Sequence, residues 1–209
     1  MHSPVSLKSA ERKAFQFTFA DGLWDVFIGC FALEFAIAPL LSKSLGDFWS
    51  SAVFLPVFGV VYLGIWLIRK NVVAPRIGTV SFGKVRRQKL QKFSLIMLIA
   101  NIVIFVLGLI VALNFRRLPG FGIASLLSLF LLVGFSAAAY MLDYTRLYFY
   151  GLMFFAAPLI GEWLYANHGA SHHGYPIVFG FSAVVMILTG LVLFIRLLKN
   201  NPRVDDEGI

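Results

Sequence analysis

The chain has 209 residues, of which 59% are hydrophobic and only 13% charged, and its mean hydropathy is +0.84. Soluble domains carry about 25% charged residues, so this composition excludes a soluble globular domain, and it also excludes a disordered chain and a coiled coil. The formal charge of +8 belongs to loops flanking membrane helices rather than to a nucleic-acid surface, and one cysteine, Cys30, excludes a disulfide scaffold.

About 20 apolar residues cross a hydrocarbon core of roughly 30 Å as a helix. Runs of that kind predict an all-α polytopic membrane protein with six transmembrane helices in a single membrane domain over 1–209. The first run covers about 17–41. It follows Lys8, Arg12 and Lys13, which resemble a signal-peptide n-region, but Pro39 directly after Ala36-Ile37-Ala38 blocks cleavage. It reads as a retained helix. The second run covers about 48–68 and contains Pro56.

A basic loop, 69–92, comes next. Within it Asn71 to Phe82 predicts a turn and a short extended piece, because it holds Pro75, Gly78 and the β-prone Thr79-Val80-Ser81-Phe82. Gly83 to Lys92 reads as an extension of the third helix. The remaining runs are about 93–113, 121–142, 147–166 and 177–198. Gly134-x-x-x-Ala138 and Ala157-x-x-x-Gly161 are small-residue patterns that let helix backbones approach. Pro56 and Pro158 predict helix breaks.

Cytoplasmic loops retain Lys and Arg. Placing the N-terminus inside puts 15 basic residues in the cytoplasm and leaves 3 outside, Lys43, Arg116 and Arg117. Both termini are therefore expected in the cytoplasm.

An ionisable side chain in a membrane run costs about 2.5–3.5 kcal/mol on insertion scales, so each one is a candidate site residue. Glu34 lies deep in the first run and Glu162 near the outer end of the fifth. With Asn101 of the third run they form a candidate ion- or solute-binding set. Asp21 and Asp25 open the first helix four residues apart, on one helix face. They are expected to face the basic loop. That loop's Arg86, Arg87 and Lys89 are candidates for anionic lipid. Between the fifth and sixth runs lie His168, His172 and His173. Imidazole suits zinc and other transition metals, so these three are a candidate metal set, although their spacing matches no standard zinc motif. A polar exposed turn is the plainer reading.

Asp21-Gly22-Leu23-Trp24-Asp25 and Pro75-Arg76-Ile77-Gly78-Thr79-Val80-Ser81-Phe82 resemble a pattern in small prokaryotic integral membrane proteins. In that group DGLWD opens the first helix and PRIGxVxF lies in the first cytoplasmic loop. The resemblance covers about thirteen residues. It implies a prokaryotic inner membrane and a shared structural role for Asp21, Asp25 and Arg76, expected as a carboxylate–guanidinium clasp. No activity accompanies the group.

The chain shows no P-loop, no nucleophile–base pair and no selectivity-filter motif, so a membrane enzyme is the least favoured class and no cofactor is expected. Two classes remain open. One is a transporter or channel for an ion or small solute, working through outer-half carboxylates. The other is a non-catalytic scaffold, assembly subunit or lipid-binding regulator, acting through the basic loop. The expected partners are the bilayer, anionic lipids, and a second copy or another membrane protein; nucleic acid is not among them.

Overall fold

The computed structural model describes residues 19–77, scattered positions between 88 and 106, and residues 120–202. All regular structure among them is helical. Helix α1 is Leu23–Leu45, α2 Asp47–Ala52 and α3 Phe54–Ile68. A π-helical turn, Arg69–Val73, leads into the short α4, Ala74–Ile77. Then come α5, Gly120–Leu142, and α6, Arg146–His168. A tight turn, Ser171–Gly174, leads into α7, Tyr175–Asn200.

Among the described residues five helical segments are long and apolar enough to cross a membrane: Leu23–Leu45, Phe48–Ile77, Gly120–Leu142, Arg146–His168 and Ser171–Asn200. Leu55, Val60, Leu126, Val133, Ile177 and Phe181 are among the many large apolar side chains exposed on them. In lipid such exposure carries no hydrophobic penalty, and the helical backbone satisfies its own polar groups. Most of the third run, 93–113, lies outside the described residues.

The chain divides into two compact units, Met1–Ser81 with Phe179–Ile209, and Phe82–Val178.

In the first unit α1 begins at Leu23 because Gly22 adopts φ +74° and the Asp21 carboxylate accepts the Leu23 N–H at 3.1 Å. Glycine adopts that left-handed conformation without steric cost. α1 packs on α3 through aromatic rings. Phe27 meets Phe58 and Tyr62 at 6.1 and 6.5 Å, and Phe31 meets Phe58 at 6.0 Å. Against α7 it packs through small residues. A side-chain carbon at Gly22 would collide with the Gly190 carbonyl, and one at Gly29 would lie 2.6 Å from Ile187. Farther along, Phe35 stacks on Phe179 at 4.9 Å.

The segment after α3 departs from the expected turn and extended piece. Asn71 to Ile77 is helical. Pro75 stands in the first turn of α4, where its missing N–H costs little, and the wider π turn before it supplies the room its ring needs. Thr79 to Phe82 lies outside the described residues.

In the second unit α5 and α6 form an antiparallel hairpin. Phe135 and Phe154 stack at 4.7 Å with their rings 19° from parallel. Gly151 admits the Phe135 side chain: a carbon added there would lie 2.8 Å from Phe135 Cβ. The hairpin turns at Asp143, with φ +51°, and the Tyr144 N–H donates to the Ala139 carbonyl at 3.0 Å. Arg146 lies over the Tyr144 ring at 5.0 Å.

Candidate functional site

Among the described residues, two places pair a buried carboxylate with a basic side chain, one in each unit. In the second, Glu162 stands on the last turns of α6, and its side chain is 8% exposed. The Ser171–Gly174 turn folds back over it. His173 Nδ1 donates to Glu162 Oε1 at 2.8 Å, and the His173 side chain is 50% exposed. The other carboxylate oxygen lies against the first residue of α5, since a side-chain carbon at Gly120 would be 3.0 Å from Glu162 Oε2. The imidazole thus meets a buried carboxyl group in an otherwise apolar hairpin.

Two glycines make this contact close. A carbon at Gly161 would meet the His173 carbonyl and the Tyr175 ring, each at 2.7 Å. One at Gly174 would meet the Gly161 carbonyl at 2.7 Å. Three successive residues of the turn are left-handed: His172 at φ +52°, His173 at +56° and Gly174 at +63°. Only the glycine adopts that region without strain. The His173 ring also packs on Tyr165 at 4.4 Å.

The His168 ring packs on Trp163 at 4.9 Å. Among the described residues no group of three or more His, Cys, Asp or Glu side chains converges as a metal site would require. The expected set of His168, His172 and His173 is therefore not assembled there. The helix end and the left-handed turn commit the His168 and His173 rings to different neighbours.

Glu34 is half-buried on α1, with no hydrogen bond or ion pair among the described residues. It belongs to the first unit and Glu162 to the second. Asn101, Arg86, Arg87 and Lys89 lie outside the described residues, as do Arg116 and Arg117.

The other polar place is in the first unit. Arg69 sets Nε and one Nη at 2.7 Å from Asp21 Oδ2, and its guanidinium carbon lies 5.4 Å from the Trp24 ring centroid. The guanidinium that meets Asp21 is thus Arg69 and not the expected Arg76, whose buried Nε has no hydrogen-bond partner among the described residues. The reason is register. α1 and α3 run antiparallel, and the contacts of Phe27 with Tyr62 and Phe31 with Phe58 bring residue 69, not 76, level with the start of α1. Asp25 is fully buried beside this pair. Burial pushes the Asp21 carboxyl above its ordinary pKa, against the pull of the Arg69 charge.

The Glu162–His173 pair escapes a sequence reading because the two residues are brought together by a left-handed turn. Gly169 and Gly174, which bracket that turn, were the available signal. Likewise the small residues Gly22, Gly29 and Ala36 recur at sevenfold spacing and mark the face that meets α7.

No protein-family model, curated protein or solved structure matches this chain.

Proposed function

We propose that this chain is a small multi-pass membrane protein that moves an ion or small solute, with Glu162 as its ion-binding carboxylate. The observation that carries the reading is the 2.8 Å contact between His173 Nδ1 and the buried Glu162 Oε1. A buried carboxylate in a membrane helix is costly unless its charge is used or neutralised. Its partner here is a half-exposed imidazole, which a competing cation can displace from the solvent side.

In this reading both termini are cytoplasmic, and Glu162 faces the outside of a prokaryotic inner membrane. The asymmetry of basic residues supports that orientation.

The test is flux into liposomes containing the purified protein, driven by a sodium or a proton gradient and read with ion-selective dyes. Wild type should carry one of the two ions, and Glu162→Gln should fall to the level of empty liposomes. Equal flux through wild type and Glu162→Gln overturns the assignment. Absence of flux with either ion, beside capture of a stoichiometric membrane partner, establishes the scaffold class instead.

A further inference from the structure

We infer that the Ser171–Gly174 turn is a strained lid over Glu162, opened when a small hard cation takes the carboxylate from His173. The inference rests on reading Glu162 as the ion-binding carboxylate.

Three observations carry it. Glu162 is buried at 8% exposure while its cover, His173, is 50% exposed, so the imidazole stands between the carboxylate and solvent. The cover is held in an unfavourable backbone state. His172 and His173 are consecutive left-handed residues, each disfavoured roughly five- to thirtyfold against the right-handed region. Such strain persists only where the surroundings impose it. What imposes it is the Glu162–His173 bond and the interlocked backbones of Gly161 and Gly174. Removing the bond leaves the two histidines free to return to ordinary backbone angles, which swings the ring away from the carboxylate.

The side chain beneath the lid that can ligate a cation is the Glu162 carboxylate, an oxygen donor. Oxygen donors suit a hard cation. The titratable neighbours of Glu162 among the described residues are His173 in the turn and Tyr175 at the start of α7. The α5 end presents Gly120, which has no side chain.

Amide hydrogen exchange of the full chain in lipid nanodiscs tests the lid. Backbone exchange over 169–175 is followed by mass spectrometry at fixed pH, in sodium chloride and in choline chloride. Sodium should speed exchange of the wild-type lid severalfold relative to choline. Glu162→Gln should exchange about tenfold faster in both salts, without sodium sensitivity. His172→Gly, which removes strain but keeps the bond, should exchange about fivefold slower and retain its response to sodium. Asp143→Gly, at a left-handed residue of another turn, should leave the lid unchanged.

Equal exchange in sodium and choline for wild type overturns the inference, as does unchanged lid exchange in His172→Gly. If Glu162→Gln loosens α5 and α6 throughout, His172→Gly alone decides, by the same criteria. Lid and transport fail separately. Sodium-driven opening without flux removes only the transport reading, and Glu162-dependent flux with sodium-insensitive exchange removes only the lid.

Discussion

Arg69 brings two guanidinium nitrogens to within 2.7 Å of one Asp21 oxygen across 48 residues of sequence. The carboxylate side chain is 4% exposed and the guanidinium side chain 24%. Truncating one partner leaves the other charge unmatched, which costs about 3–5 kcal/mol at a fully buried pair. Partial exposure of Arg69 lowers that to about 1–3 kcal/mol. Arg69→Ala should therefore lower the melting temperature in detergent clearly more than Arg76→Ala. Equal losses in the two variants would contradict the assignment of Arg69 as the partner.

The same carboxyl sets a pH dependence. Asp21 lies outside the spanning segments, and burial raises its folded pKa above the ordinary 3.8. A raised carboxyl binds its proton more tightly folded than unfolded, so its contribution to stability is fully present below 3.8 and is lost as pH rises through the folded value. Melting temperatures from about pH 4 to about pH 7 should show this downward contribution in wild type, and Asp21→Asn should lack it. Arg69→Ala should steepen it, since the opposing charge is gone. An Asp21→Asn curve parallel to wild type would refute the account.

Glycines sort by what surrounds them. Gly161 and Gly174 face backbone atoms at 2.7 Å, so Gly161→Ala and Gly174→Ala should each cost about 1–3 kcal/mol. Gly134 meets nothing within 4 Å, and Gly134→Ala should be neutral or stabilising by up to about 1 kcal/mol through helix propensity. Thermal unfolding of the three variants checks the order.

Ser128 on α5 is wholly buried, and its hydroxyl has no hydrogen-bond partner among the described residues. An unsatisfied buried hydroxyl costs about 1–3 kcal/mol. Ser128→Ala should consequently raise the melting temperature, whereas most core substitutions lower it. A fall on that substitution would mean the hydroxyl has a partner.

The membrane helices were legible because apolar runs long enough to cross a bilayer rarely occur in soluble domains. Their ends were less so. α1 starts at Leu23 rather than near Phe17 because Asp21 and the left-handed Gly22 cap it, and such a cap is not encoded in hydropathy. Helical structure past Ile68 was hidden by Pro75, which a π turn accommodates. At the sites, Asp21 was legible as a buried-charge problem, but its partner depended on the register of two helices. Glu162 and the histidine turn were each legible alone. Their bond required three consecutive left-handed residues, two of which lack the glycine signature.

The contact between Gly22 and Gly190 has a consequence for biosynthesis. The two residues are 168 apart in sequence (190 − 22), and they close α1 onto α7. At roughly 5–20 residues per second, the ribosome delivers Gly190 about 8–34 s after Gly22. Through that interval α3 is available to α1, whereas the α7 face that Gly22 meets is not yet made. The first described helix to be synthesised is thus among the last to be fully packed.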